Sequence, residues 1–208
     1  MNTDFPTTAR PLRTRAILAA TAGYLALIGP IIMVTAIMIA INSDAGRDSP
    51  EADRVVTMLA AGAVVIVLSW PLLLIPVILW TVRARSNAEA LYPATHRLSR
   101  GWAIAGWFIP IANLILPLVV IADIARATGS VPRTVWTWWF GWLAATIVFW
   151  GAIVAAGRTE WPDSARIVSQ GMLAGVALYV VAVVALSSFV RTVARRQDQS
   201  LADRTTHT

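Results

Sequence analysis

Apolar residues fall into five long runs along the chain, and short polar stretches separate them. The runs cover residues 16–41, 55–82, 101–121, 135–156 and 167–190. In a helix that rises about 1.5 Å per residue, roughly 20 apolar residues cross the hydrocarbon of a bilayer, which is about 30 Å thick. Each run is long enough to do so. The pattern therefore predicts an all-α fold, a polytopic transmembrane helix bundle.

The third run differs from the others because two prolines and an asparagine lie near its middle. Pro110 and Pro117 disfavour helix at the residues that precede them, and Asn113 lies between them. This spacing predicts a re-entrant or interfacial broken helix over about residues 101–128. A first half-helix would cover about 102–109, and a second would follow the turn. Backbone groups freed at such a turn must be satisfied by protein or water, and the amide of Asn113 could contribute.

The arginines decide between this segment and a fifth span. If the third run is instead a kinked helix that crosses from residue 101 to 121, the two faces of the membrane carry nine and eight arginines. If the run enters and leaves on one face, that face carries thirteen arginines and the other four. The positive-inside rule favours the second arrangement. It predicts four spanning helices in a membrane domain at 16–190, with cytoplasmic tails at 1–15 and 191–208.

The composition supports a membrane protein and excludes several other classes. Hydrophobic residues make up 57% of the chain and charged residues only 13%, whereas soluble domains are about 25% charged. The net charge of +6 comes from arginines at the ends of the apolar runs, which indicates orientation in a membrane and no nucleic-acid binding. The chain has no cysteine, which excludes disulfides and thiol chemistry within it.

Catalytic and metal-binding patterns are missing from the sequence. Its two histidines, His96 and His207, lie in a basic loop and at the C-terminus, and His96 has no second histidine, cysteine or acid at metal-ligand spacing. No acidic residue lies within a predicted span, which disfavours proton-coupled or ion-coupled transport. We therefore expect no enzymatic activity, no cofactor and no metal site.

One group of polar residues stands out around the third run. Its members follow the second run, lie in the predicted turn or follow the third run: Arg83, Arg85, Asn87, Glu89, Asn113, Asp123 and Arg126. Arg85 and Glu89 are one helical turn apart and able to pair if the second helix continues past residue 82. One interpretation is a structural set of arginines that reach the interface, with two acidic counter-ions. The other is a site for anionic lipid headgroups or a small anion.

Three further positions predict local features of the helices. Gly29 and Pro30 lie near the centre of the first run and predict a kink there. Trp80, like most of the tryptophans, lies near the end of a run, where an anchor at the membrane interface is expected. Gly171 and Gly175, four residues apart, permit the close approach of another helix, in this chain or in a second copy.

Three parts of the sequence together resemble a known family. They are Trp80-x-x-Arg83-x-Arg85-x-Asn-Ala-Glu-Ala-Leu, the string SRGWAIAGWFIPIANLILP at residues 99–117, and Asp123-Ile-x-Arg126 before a tryptophan-rich helix. The chain is similar here to a bacterial membrane family, domain of unknown function 4328, over roughly residues 55–190. The resemblance implies an integral membrane protein and brings no activity with it.

Two functions from different classes remain open on the sequence alone. The first is a non-enzymatic membrane module, in the cytoplasmic membrane of a bacterium, that binds lipid or a protein partner, which could be a second copy of the chain. The absence of catalytic groups and the shortness of the loops favour it. The alternative is a small channel or transporter subunit, for which a broken half-helix pair is the relevant feature.

Overall fold

The structure is a computed structural model that describes residues 11–42, 50–92, 98–99, 101–109, 111–129, 131–160 and 163–206. Within these ranges the chain is helical and forms no strand. Pro110, His96, His207 and most of the predicted N-terminal tail lie outside the described residues. The helices are α1 (Arg13–Leu25), α2 (Ile28–Asn42), α3 (Pro50–Leu91), α4 (Trp102–Ala105), α5 (Leu116–Ala127), α6 (Arg133–Ala156) and α7 (Asp163–Thr206).

Four stretches of helix are long and apolar enough to cross a membrane. They are Arg13–Asn42, Ala52–Leu91, Arg133–Ala156 and Asp163–Arg204, with lengths of 30, 40, 24 and 42 residues. They correspond to the first, second, fourth and fifth apolar runs. The predicted all-α fold with four helices of spanning length is therefore confirmed, and the chain has the build of a multi-pass membrane protein.

The first of these stretches is interrupted between α1 and α2. Ala26 and Leu27 form a turn, four and three residues before Pro30. A proline lacks the N–H that would bond to the carbonyl four residues earlier, and its ring presses on that carbonyl. The break therefore lies one turn before the Gly29–Pro30 pair that predicts it.

Helices α3 and α7 continue well beyond the predicted spans. α3 reaches Leu91 and α7 reaches Thr206, so the predicted C-terminal tail is helical throughout its described part. The reason is a stripe of buried residues at helical spacing in α7, which includes Leu186, Phe189, Val193 and Gln197. Arginines on the other faces of this helix make the sequence look like a polar tail.

Over its described residues, the third run forms no helix of spanning length. Four residues of helix, α4, lead into turns at 106–109, a 3-10 turn follows at Ala112–Leu114, and α5 begins at Leu116. The first half-helix is thus shorter than the predicted 102–109. Its end coincides with Gly106, where an added Cβ would lie 2.9 Å from the Cβ of Leu116. The chain folds back so closely here that only glycine fits without a shift.

Internal contacts divide the chain into two compact units. Unit 1 contains residues 1–21, 74–137 and 185–208, and unit 2 contains residues 22–73 and 138–184. Unit 1 therefore gathers the start of the first span, the ends of α3 and α7, the start of α6 and the whole third run. Unit 2 holds the remaining parts of the four spans.

In unit 1, the ends of α3 and α7 run parallel and meet through long side chains. Trp80 packs edge-to-face on Phe189 with ring centroids 5.3 Å apart, and the Nε2 of Gln197 donates to the carbonyl of Ala84 at 3.0 Å. Further along, Arg204 donates to the carbonyl of Leu91 at 2.8 Å. Trp80 is fully buried, so the expectation that it anchors the interface is wrong. Hydropathy cannot distinguish a tryptophan in a belt from one against a second helix.

In unit 2, pairs of antiparallel helices meet through glycine. Gly62 of α3 faces Gly29 and Met33 of α2, and an added Cβ there would lie 3.3 Å from the carbonyl oxygen of Gly29. Gly171 of α7 packs so closely on α6 that an added Cβ would overlap the Cβ of Ala152. The close approach predicted at Gly171 and Gly175 thus occurs within the chain.

Candidate functional site

Arg85 is the centre of the polar cluster predicted from sequence. It lies on the last turns of α3, and its side chain is only 3% exposed. Its Nε donates to the Oε1 of Glu89 at 2.8 Å, one turn along the same helix. Its Nη2 donates to the carbonyl of Leu98, where the chain approaches the third run. Its Nη1 lies 3.9 Å from the Oδ2 of Asp123 on α5, within ion-pair range.

Asp123 extends this set of charges along α5. Its side chain is fully buried, and its Oδ1 accepts a hydrogen bond of 2.6 Å from the Nη2 of Arg126. The Nε of Arg126 donates to the carbonyl of Ala122 at 3.3 Å, and its side chain is 37% exposed. The carboxylate of Asp123 therefore lies between two guanidinium groups, and the outer one reaches solvent.

The four charges form an alternating series: Glu89, Arg85, Asp123 and Arg126. Two arginines and two acids cancel, so the series carries no net charge. A buried charge is tolerated in a protein only when it is paired, and the loss of one partner leaves the other uncompensated. The series joins α3 to the chain just before the third run, through the carbonyl of Leu98, and to α5, through Asp123. We call this series of four charges the clasp.

The predicted cluster has three further members. Asn87 is fully buried on α3, and Arg83 is partly exposed. Asn113 lies in the 3-10 turn, and no hydrogen bond or ion pair among the described residues joins it to the four charges. Its Oδ1 is buried and accepts no hydrogen bond from the part of the chain that the structure describes. The expected contribution of this amide oxygen to the turn is therefore not seen.

The turn itself is closed by backbone hydrogen bonds. The N–H of Asn113 donates to the carbonyl of Ile109 at 2.7 Å, and the N–H of Ile115 donates to that of Ala112 at 3.0 Å. Pro117 occupies the first turn of α5, where a missing N–H costs nothing. Of the predicted turn residues, Pro110 lies outside the described ranges.

Sequence reasoning missed a second set of polar contacts, made by the end of α7. Asp198 accepts a hydrogen bond of 2.8 Å from the backbone N–H of Leu12, and Ser200 bonds to the hydroxyl of Tyr92 at 2.9 Å. With Gln197 and Arg204, these residues fix the end of α7 against α3 and the start of the chain. The buried stripe from Leu186 to Gln197 is the pattern that could have revealed them.

The family comparison bears on both sets of contacts. A family model described as a domain of unknown function, DUF4328, matches residues 44–198, which is well over half of the chain. The chain belongs to this family. The resemblance found in the sequence is thereby confirmed, and the match extends past both of its expected limits. No curated protein and no solved structure matches the chain.

Membership of the DUF4328 family assigns no activity, because the family is defined as a domain of unknown function. It does show which parts belong to the shared domain. The match contains all seven residues of the predicted polar cluster and extends along α7 to Asp198. The clasp and most of the α3–α7 contact are therefore parts of the family domain.

Proposed function

We propose that this chain is a non-enzymatic, multi-pass protein of the bacterial cytoplasmic membrane that binds anionic lipid headgroups through unit 1. Both termini are cytoplasmic in this proposal, and the third run enters and leaves on the cytoplasmic side. The leaflet on that side carries anionic lipids and attracts arginine and lysine.

The main support for the proposal is that the described arginines are concentrated in unit 1. Described residues of unit 1 include four acids and ten arginines: Arg13, Arg15, Arg83, Arg85, Arg126, Arg133, Arg191, Arg195, Arg196 and Arg204. Described residues of unit 2 include three arginines and four acids. The arginines that the positive-inside count assigns to one face thus fall, where described, in one compact unit, which supports the same-side third run.

Three of the exposed arginines of unit 1 lie together on α7, outside the clasp. Arg191 and Arg195 are exposed and one helical turn apart, and Arg196 is exposed beside them. None of the three forms an ion pair with a described residue. Guanidinium groups match phosphate geometry in a bidentate way, so this face of α7 has the chemistry for a lipid phosphate.

The test compares two lipids on the purified chain in neutral detergent. Phosphatidylglycerol should raise the Tm by several degrees, whereas phosphatidylcholine should not, and added salt should reduce the difference. The triple variant Arg191→Gln, Arg195→Gln, Arg196→Gln should lose most of the shift. The matched variant Arg158→Gln, Arg166→Gln in unit 2 should keep it. Equal shifts with both lipids would contradict the proposal.

The broken third run favours a second candidate function, a channel or transporter subunit. Half-helices that meet at an unwound turn form ion and substrate sites in transporters, and the buried Oδ1 of Asn113 has no partner among the described residues. Selective flux into liposomes that contain the chain, abolished by Asn113→Leu, would support this function over lipid binding. Absence of flux would contradict the channel or transporter function.

A further inference from the structure

The turn of the third run exposes several large apolar side chains. We define the tip as residues 106–115, without Pro110. Its exposed members are Phe108 (64%), Ile109 (45%), Ile111 (80%), Leu114 (51%) and Ile115 (58%). Ile111 is the most exposed large apolar side chain of the described residues. A patch of this kind in contact with water would be an aggregation liability, so it needs a cover.

The exposure of the tip does not come from loose packing of the whole segment. Eight of the twelve residues of α5 are buried, among them Val120, Ile121 and Ile124. The clasp also fixes α5 to α3 through Asp123 and Arg85. Helix α5 is therefore held inside unit 1, while five large apolar side chains of the tip remain exposed.

Most backbone N–H groups of the tip are bonded within the segment, although those of Ile111 and Ala112 have no acceptor among the described residues. The N–H groups of Gly106, Trp107, Phe108 and Ile109 donate to carbonyls within the segment, as do those of Asn113, Leu114 and Ile115. Pro110 and Pro117 have no N–H to satisfy. Irregular backbone survives in hydrocarbon only when its polar groups find partners in the protein. The two prolines remove donors at a turn where water would be absent.

The distribution of charge along the segment fits a membrane with the tip inward. No charged residue occurs from Gly101 to Ala122, and the clasp follows directly at Asp123. Leu116 precedes Asp123 by seven residues of helix, which carry the chain about 10 Å from the clasp. The hydrocarbon of one leaflet is about 15 Å thick, half of the bilayer core. The tip can therefore reach acyl chains while Arg126 remains level with headgroups.

The geometry points to the acyl chains of a single leaflet as the cover of the tip, with Phe108, Ile111 and Ile115 in direct contact with lipid. The tip then enters one leaflet from the side of the clasp and does not cross the bilayer. We call this arrangement the wedge. This inference needs a membrane but no anionic headgroup. It rests on the proposed same-side entry of the third run but not on the lipid preference proposed for α7.

Spin labelling of the full chain in phosphatidylcholine vesicles tests the wedge directly. The chain has no cysteine of its own, so single cysteines can be introduced and labelled with a nitroxide without background. The label at Ile111→Cys should be accessible to oxygen and inaccessible to a water-soluble nickel chelate. Val67→Cys, 68% exposed within a span, is the lipid control, and Gln199→Cys, exposed near the end of α7, is the aqueous control.

The outcomes separate the possible covers of the tip. A label at residue 111 that behaves like the one at 67 supports the wedge, and its depth distinguishes an interfacial segment from a deeper re-entrant one. A label that behaves like the one at 199 places the tip in water and overturns the inference. Immobilisation with protection from both reagents shows a protein cover, such as a second copy, and also overturns it. Because the vesicles are zwitterionic, none of these results depends on the headgroup proposal.

Discussion

The helices of unit 1 and those of unit 2 are held together by different kinds of contact. In unit 2, α6 and α7 approach through Gly171, and α2 and α3 through Gly29 and Gly62, with backbone close to backbone. In unit 1, α3, α5 and α7 are linked by guanidinium, carboxylate, amide and indole side chains. The same chain therefore uses small residues in one half and large polar residues in the other.

The proposed arrangement in the membrane, with unit 1 at the cytoplasmic interface, accounts for this difference. Helices in hydrocarbon gain nothing by hiding apolar surface from lipid, so they associate by close van der Waals packing at small residues. Near an interface, long polar side chains can be drawn from water and paired. The glycine contacts of unit 2 and the ionic clasp of unit 1 should therefore be sensitive to different substitutions. We expect four effects on stability, given from the largest to the smallest.

Truncation after Val190 should have the largest effect. It removes buried Val193, Ala194 and Gln197 together with the hydrogen bond from Arg204 to Leu91. At about 1.5–3 kcal/mol for a buried valine and about 1 kcal/mol for each hydrogen bond, the loss is roughly 5 kcal/mol. Thermal unfolding in detergent, followed by tryptophan fluorescence, should show a Tm lowered by about 10 °C or more. Removal of residues 205–208 alone is the control, and equal Tm values for both truncations would contradict the docked α7 end.

Asp123→Ala should come next, because it leaves Arg85 buried without one of its counter-ions. The loss of one partner of a buried ion pair costs about 3–5 kcal/mol. The matched control is Asp163→Ala. Asp163 and Arg166 are three residues apart, as Asp123 and Arg126 are, but their side chains are 71% and 60% exposed. An exposed pair contributes only about 0–1 kcal/mol. Similar Tm shifts for the two variants would show that the clasp does not support unit 1.

Gly171→Leu should destabilise unit 2 by overpacking against Ala152. Such insertions typically cost about 1–3 kcal/mol. Gly151→Leu is the control on the facing helix, because an added Cβ at Gly151 meets no atom within 4 Å. The control should be neutral or slightly stabilising, since leucine favours helix over glycine. If both variants behave alike in thermal unfolding, the glycine contact is not what holds α6 to α7.

Asn113→Leu should have the smallest effect on stability. The Oδ1 of Asn113 is buried without a partner among the described residues, so the substitution breaks no hydrogen bond to it. We expect a Tm within about 2 °C of the parent, a change of under about 1 kcal/mol. Gln197→Leu is the comparison, because it removes a hydrogen bond to Ala84 that is made. A large loss of stability in Asn113→Leu would show that this amide has a partner, and it would favour the channel or transporter function.

The sequence predicted those features that depend on local rules. The four long helices follow from run length, and the pairing of Arg85 with Glu89 follows from their one-turn spacing. The break in the third run follows from its prolines, because a missing N–H acts on the nearest turn. Each of these features requires only residues that are close together in the chain.

Features that depend on distant partners could not be predicted in the same way. Arg85 meets Asp123 across 38 positions of sequence, and hydropathy does not contain that register. Trp80 has the composition of a belt residue but is buried against Phe189, more than a hundred residues away. The helical end of α7 was obscured because arginines alternate with its buried stripe. The buried stripe repeats at intervals of three and four residues, and this spacing alone would have predicted the helix.

The side of the membrane on which the third run begins and ends is the central claim, and cysteine labelling in intact cells tests it most directly. Single cysteines replace Ser99 before the run, Ser130 after it, and Ser164 at the start of α7. A membrane-impermeant thiol reagent should label the cysteine at 164 and leave those at 99 and 130 protected until the cells are opened. Labelling at 130 with protection at 99 would mean that the run crosses the membrane, and would contradict the four-span account.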